Sequence, residues 1–235
     1  MSIDLDWVPV ALSADIEAGT SAGAIVEGAE IVVWRDNKGA AHVWEDRCPH
    51  RGMRMSFGFV RGDHIACLYH GWQYDTAGQC RYIPAHPDLE VPATIKIPTY
   101  RSAEANGLIW AKLVEENDSS APPVIDGETL PVRSLYLDCA TETVIAALSD
   151  VVLPSRIGTT DKAMLDKAGA NLWRLSSGGL DLLLALQPVG PAKTGLHILL
   201  VGDPSGTASS RTDVAKWATA LRHQLEQAQA GAEAA

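Results

Sequence analysis

The chain of 235 residues is 46% hydrophobic and 20% charged, which is ordinary for a globular protein with one large or two small domains. Its formal net charge of −10 at pH 7 argues against nucleic acid as a partner. The absence of any apolar run of about eighteen residues argues against a membrane span, and the acidic N-terminus has no export signal, so we expect a cytoplasmic protein.

The first half of the chain is predicted to form antiparallel β-structure. Short runs rich in Val, Ile and Trp alternate with polar or glycine-containing turns, as in strands joined by hairpins. The predicted strands cover residues 7–12, 24–27, 30–35, 41–45, 57–60, 64–68, 72–74, 95–100 and 107–112.

Two short segments between these strands carry metal-binding side chains. Cys48 and His50 lie in the first segment, and Cys67 and His70 lie in the second. Two thiolates and two imidazoles can bind a tetrahedral zinc ion, or a two-iron cluster in which the cysteines bind one iron and the histidines the other. Zinc sites commonly keep like ligands paired along the chain, whereas each segment here mixes the two. The layout therefore favours the cluster.

The sequence around these four residues resembles a known family. Cys-Pro-His-Arg-Gly at 48–52, Cys-Leu-Tyr-His-Gly-Trp at 67–72 and the stretch 74–84 closely resemble the Rieske domain of ring-hydroxylating and demethylating Rieske non-haem iron oxygenases. The resemblance covers residues 1 to about 115. It implies that Cys48, His50, Cys67 and His70 are the ligands of a [2Fe-2S] cluster.

Two neutral imidazoles in place of two thiolates make such a cluster easier to reduce. Respiratory Rieske proteins add a disulfide between the two ligand loops, but Met53 and Tyr69 occupy the corresponding positions here. We therefore expect no covalent brace and a reduction potential toward the low end of the Rieske range.

The second half of the chain is predicted to be a separate unit. Residues 116–130 form a linker by composition, residues 131–227 a second domain and residues 228–235 a flexible tail. Strands are predicted at 132–138, 172–175, 180–187 and 195–202, and helices at 141–149 and 211–229. The predicted fold class is α+β, mostly antiparallel β, with a Rieske iron-sulfur domain at 1–115 followed by a shortened helix-grip-like α+β domain.

This second unit resembles a shortened catalytic domain of Rieske oxygenases. In that family an Asp, a His three residues later and a second His five residues after the first accompany a mononuclear iron, and the matching positions here are Asp150, Leu153 and Gly158. Leucine and glycine have no side-chain donor, so we expect no mononuclear iron at these positions. His197 and His223 are the other histidines of this half, and no motif joins them into a site.

Three functions remain open from the sequence. The first is an electron-transfer protein or subunit that passes single electrons from a reductase or ferredoxin to a partner oxygenase, rather than a self-sufficient enzyme. The second is a component of a Rieske oxygenase, a hydroxylase or demethylase of small organic molecules, with an unusual or shared terminal iron site. The third is a ligand-binding or redox-sensing protein. The oligomeric state stays open, an oligomer included.

Four arginines lie on and just after the first ligand segment, in fifteen residues without an acidic side chain: Arg47, Arg51, Arg54 and Arg61. They either steer an acidic redox partner or pair with carboxylates such as Asp46 and Asp63. The two cysteines outside the motif, Cys80 and Cys139, are expected to be free buried thiols because the expected compartment is reducing.

Overall fold

The structure is a computed structural model that describes residues 6–113, 119–154, 162–177, 179–202 and 207–233. These residues form three antiparallel sheets, two 3-10 turns and two α-helices. The strands are β1 Val8–Leu12, β2 Ser21–Val26, β3 Ala29–Arg35, β4 Ala41–Glu45, β5 Phe59–Arg61, β6 His64–Ala66, β7 Gln73–Asp75, β8 Cys80–Tyr82, β9 Thr99–Ala105, β10 Leu108–Lys112, β11 Thr129–Leu137, β12 Met164–Gly169, β13 Leu172–Ser177, β14 Leu180–Gly190 and β15 Lys193–Val201. The helices are α1 Thr141–Leu148 and α2 Thr207–Glu233.

The first two sheets are built from the N-terminal half of the chain. One sheet has the order β1-β10-β9-β4-β3-β2, and the other has the order β5-β6-β7-β8. The turn between β3 and β4 shows how the sequence sets this register. The Asp36 carboxylate accepts backbone hydrogen bonds from Lys38 and Ala40 at 2.9 Å, and Gly39 takes a φ of +92° that favours glycine.

The four-stranded sheet packs on β3 and β4 through a core rich in aromatic rings. Trp34, Trp44 and Tyr74 are fully buried there, and the Trp34 and Trp44 rings meet edge to face with centroids 4.9 Å apart. Burial of a large apolar side chain stabilises a fold by roughly 1.5–3 kcal/mol. The two loops that carry the predicted ligands leave the strands next to this core.

The third sheet, β11-β15-β14-β13-β12, is the centre of the C-terminal half. One face packs against α1 and α2 through side chains that include Val144, Leu184, Val214 and Leu221. The sequence therefore predicted the α+β, mostly antiparallel class correctly. In detail it missed the short strand β8 and the strand β12, which has no buried residue, and α2 ends at Glu233 rather than at residue 229.

The opposite face of the third sheet packs against the six-stranded sheet. Trp7, Leu12 and Trp110 from the N-terminal half share one apolar cluster with Leu183 and Leu199 from the C-terminal half. Backbone hydrogen bonds join the halves as well, because the β2–β3 turn donates from Glu27 and Gly28 to the carbonyls of Pro188 and Val189 at 2.8 and 2.9 Å.

A buried polar chain also crosses between the two halves. His197 lies between the Ser134 hydroxyl, 2.8 Å from its Nδ1, and the Gln187 side-chain oxygen, 3.0 Å from its Nε2. Gln187 in turn donates to the carbonyl of Ile25 on β2 at 2.7 Å. Desolvation lowers the pKa of the fully buried His197 to about 4, so this histidine is neutral at pH 7.

No helix of the described residues combines the length and the apolar character that a membrane span needs. Cys80 and Cys139 are buried and free, as predicted.

Candidate metal centre

The two predicted ligand loops have the same backbone shape. In the first loop the Cys48 amide donates to Met53 and the Gly52 amide donates to Cys48, both at 2.8 Å. In the second loop the corresponding bonds run from Cys67 to Trp72 and from Gly71 to Cys67, both at 2.9 Å. Gly52 and Gly71 each have a φ of +70°, a conformation that glycine adopts without strain. The two glycines of the motif therefore close two equivalent turns.

The thiols of Cys48 and Cys67 lie at the base of these turns and contact each other. Both residues are 2% exposed, so solvent hardly reaches them. Each thiol also accepts backbone hydrogen bonds from the residues two and three positions later, which are His50 and Arg51 in the first loop and Tyr69 and His70 in the second. Amides aimed at sulfur favour the thiolate form.

The contact between the two thiols makes their pKa values unequal. The hydrogen bond from Cys67 lowers the pKa of Cys48 to about 5, and the same contact raises the pKa of Cys67. The Tyr74 hydroxyl lies 3.3 Å from the Cys48 sulfur, and the pKa of Tyr74 is raised first by desolvation and then by this contact. Cys48 is therefore the thiol that ionises more readily, and metal binding displaces thiol protons.

The imidazoles of His50 and His70 lie together at the outer end of the loops. Their ring centroids are 4.6 Å apart and their planes differ by 61°. Two imidazoles that share one metal ion, with metal–nitrogen bonds of about 2.1 Å, have centroids about 5 Å apart. His70 is exposed, whereas His50 is half-buried under the Trp72 indole, which stacks on it with a centroid distance of 4.3 Å.

The arrangement bears on the two metal sites that the sequence left open. A tetrahedral zinc site places four ligands around one ion, whereas each iron of a two-iron cluster takes two protein ligands. In this structure the thiols form one pair and the imidazoles another, as a two-iron cluster requires.

The surface around the two loops is apolar and basic. Leu68 and Tyr69 of the second loop are 47% and 59% exposed, and Arg47 and Arg51 of the first loop are exposed. Arg54 instead forms an ion pair with Glu30, and the Arg61 guanidinium lies 5.7 Å from the centroid of the Phe59 ring.

The carboxylates that the sequence suggested as arginine partners have other contacts. Asp46 accepts from the amide and hydroxyl of Ser56, and Asp63 lies 3.7 Å from His64. The carboxylate that pairs with Arg54 is Glu30, on a neighbouring strand. Sequence proximity therefore identified the wrong partners.

The other candidate residues lie in the C-terminal half of the chain. Asp150 is exposed and pairs with Lys162, while Leu153 is 3% exposed in the apolar core beneath α1. Gly158 lies outside the described residues. His197 takes part in the buried chain with Ser134 and Gln187, and His223 on α2 bonds only the neighbouring Gln227 among the described side chains. The structure does not bring these two histidines together.

Sequence reasoning missed two contributors to the site. Tyr74 was noted as part of the motif but not as a hydrogen-bond partner of Cys48, and Trp72 was not recognised as a neighbour of His50. A tyrosine next to the ligand motif on a strand was the available signal for the first contact. The second contact joins different loops, and nothing in the local sequence indicates it.

Comparison with known proteins identifies the N-terminal region. The Rieske [2Fe-2S] domain family matches residues 6–101. Oxidoreductase NdmD of Pseudomonas putida is 38% identical over 148 residues, which are 60% of this chain and 25% of the relative. The region that this chain matches is thus about a quarter of that relative's length.

Solved structures share the fold over nearly the whole chain. NdmA of Pseudomonas putida CBB5 with caffeine has a TM-score of 0.71 at 19% identity, covering 94% of this chain and 81% of that one. Dicamba monooxygenase with non-heme iron and dicamba has a TM-score of 0.74 at 18% identity, covering 97% and 88%. The C-terminal sheet and helices therefore belong to the shared fold.

Proposed function

Because the chain contains a Rieske [2Fe-2S] domain and resembles Rieske non-haem iron oxygenases in sequence and fold, we propose that it passes single electrons from a reductase or ferredoxin to a partner oxygenase. The [2Fe-2S] cluster would be bound by Cys48, Cys67, His50 and His70. The observation that carries the proposal is the pair of equivalent loops, which bring two buried thiols and two outward imidazoles together.

The bound cluster supplies reversible one-electron chemistry at a moderate potential. The chain's own residues decide how that electron is held. The amides of both loops and the Tyr74 hydroxyl donate hydrogen bonds to the cysteine sulfurs, and such donors stabilise the added negative charge of the reduced state. The buried core around Tyr74 keeps solvent away from the sulfurs.

The exposed loop tip is the surface where a redox partner docks in this proposal. His70 is exposed there, so it offers the shortest route between a metal and an approaching protein. Leu68 and Tyr69 give apolar contact area beside it, while Arg47 and Arg51 give positive charge on a chain whose net charge is −10. An acidic partner would be attracted to this patch at low ionic strength.

The proposal is tested with reconstituted protein. We expect two irons and two labile sulfides per chain, a rhombic signal in low-temperature EPR after reduction, and reoxidation of the reduced protein by a separate oxygenase. Exchange of Arg51 for glutamate should slow reduction by an acidic ferredoxin and weaken its salt dependence, while Arg174→Glu in the C-terminal sheet is the control. Protein that binds zinc in the same site, or no cluster, would overturn the assignment.

A terminal oxygenase is the second candidate function. The observation that favours it is the fold shared with dicamba monooxygenase over 97% of this chain. The observation against it is Leu153, which lies in an apolar core at the position where the resemblance expects the first iron-binding histidine. We therefore propose that no mononuclear iron binds at Asp150, Leu153 and Gly158.

Iron content and single-turnover chemistry separate the two candidates. The electron-transfer function predicts no tightly bound third iron and no product from the reduced protein with aromatic or N-methylated compounds. Stoichiometric product without a second protein would establish the oxygenase function instead.

A further inference from the structure

The stacking of Trp72 on His50 joins the two ligand loops above the thiols, beside the edge contact between the His50 and His70 rings. His50 belongs to the first loop and Trp72 to the second, and their rings are parallel within 5° at a centroid distance of 4.3 Å. Offset parallel stacking at this distance is attractive beyond the apolar area it buries. The two loops are thus held together by ring contact where Met53 and Tyr69 offer no disulfide.

The stack makes two otherwise equivalent loops unequal. Trp72 occupies the position that corresponds to Met53, since the carbonyl of each accepts the backbone hydrogen bond from the cysteine of its loop. Met53 has no ring to place over His70. The neighbouring Tyr69 stacks on His70 instead, at 3.9 Å and 29°, and this tyrosine is 59% exposed.

The two imidazoles are therefore held in different ways. One face of the His50 ring lies against a half-buried indole of the opposite loop, which restricts rotation of the ring. His70 contacts the edge of the His50 ring and is stacked by Tyr69, an exposed side chain of its own loop, and it stays open to solvent.

We propose that Trp72 is a positioning residue that fixes the plane of the His50 ring and closes the two loops over the cluster, in the role that a disulfide has elsewhere. The inference rests on the proposed binding of a [2Fe-2S] cluster by these loops. It assigns Trp72 no part in accepting or donating the electron. Its effect is on the orientation of one ligand and on the retention of the metal.

The test compares Trp72→Leu, which keeps an apolar side chain without a ring, with Trp72→Phe, which keeps a ring. Trp173→Leu is the matched control, because Trp173 is also half-buried but packs on the core of the C-terminal sheet. The readouts are the EPR g values and nitrogen hyperfine couplings of the reduced protein, its midpoint potential, and the rate of iron loss to excess chelator. The g values and nitrogen hyperfine couplings report ligand orientation, which a general loss of stability leaves unchanged.

We expect Trp72→Leu to lose iron about three- to tenfold faster, as the strength of an aromatic pair implies, and to show broadened, shifted g values. Trp72→Phe should restore most of both properties, and Trp173→Leu should match the parent. Failure of the leucine variant alone to assemble the cluster would also support the role of the ring. The proposal would be refuted if Trp72→Leu had the same g values and the same rate of iron loss as the parent. Equal impairment of Trp72→Phe and Trp72→Leu would also refute it. Absence of a Rieske signal in the parent would instead contradict the proposed cluster itself.

Discussion

The hydrogen bond from Tyr74 to Cys48 gives a quantitative prediction for the midpoint potential. In Tyr74→Phe the ring and its burial remain, and only the hydroxyl 3.3 Å from the sulfur is lost. Once iron binds, the cysteine sulfur carries no proton, so the tyrosine must be the donor. The bond is stronger in the reduced state because the added electron increases the negative charge on the sulfur.

The size of the effect follows from the strength of such bonds. A hydrogen bond contributes about 0.5–1.5 kcal/mol between neutral groups and about 1.5–3 kcal/mol when one group is charged. A gain of about 1 kcal/mol on reduction is therefore reasonable. Since 59 mV corresponds to about 1.4 kcal/mol for one electron, loss of the hydroxyl should lower the potential by about 40 mV.

The assay is a redox titration followed by EPR, or voltammetry of the adsorbed protein. Tyr100→Phe is the control, because Tyr100 packs on the separate core of the six-stranded sheet. The reasoning fails if Tyr74→Phe has an unchanged or raised potential while its iron content equals that of the parent.

Three further predictions concern binding and stability. Cys67→Ser should give colourless protein with a lower melting temperature, because metal binding to the folded loops contributes to the free energy of folding; a colourless variant that melts like the parent would contradict the second part. His197→Gln should weaken the pH dependence of unfolding. The pKa of His197 is 6.5 in the unfolded chain and about 4 in the folded one, so the unfolded chain binds more protons between these two pH values. The free energy of unfolding of the parent should therefore fall by about 3 kcal/mol as the pH drops through this range. Urea titrations at pH 4.5 and 7 measure this, and equal losses in both proteins would disprove the assignment. Gly78→Ala should disrupt the turn before β8, because a Cβ there would lie 2.4 Å from the Ile97 carbonyl oxygen and φ is +76°. The circular dichroism signal of the β-structure and the iron content should both fall. Gly39→Ala is the control: the space around Gly39 is open, so this variant should keep the cluster.

The fold was predictable where local sequence determines it. The β3–β4 hairpin follows from Asp36 and Gly39, which form the turn themselves, and the strands around it have continuous apolar runs. Strand β8 has only three residues, and β12 has two charged residues in the middle of its six and no buried side chain, so neither has an apolar pattern of its own. Both are strands because a neighbouring strand supplies their hydrogen bonds, and a linear sequence does not contain that information.

The candidate site was also predictable only where neighbouring residues determine its structure. The spacing of Cys48, His50, Cys67 and His70 predicted two equivalent loops, and the structure has them; the binding of iron by these residues stays a prediction. The stacking of Trp72 on His50 and the pairing of Arg54 with Glu30 join distant segments. Neither contact could be read from spacing, because each depends on how separate loops and strands pack in space.

The apolar layer between the six-stranded and five-stranded sheets limits how this chain can be divided. A cut in the linker would separate the sheets but would leave Leu12 and Trp110, both at most 1% exposed in the intact chain, facing water on one fragment. Gln187, whose side-chain oxygen contacts His197, would also lose its hydrogen bond to the carbonyl of Ile25, which lies on the other fragment. The N-terminal region with the two ligand loops is therefore poorly suited to transfer into another protein by itself. A fusion that omitted the five-stranded sheet would need another apolar surface to cover the exposed face of the six-stranded sheet.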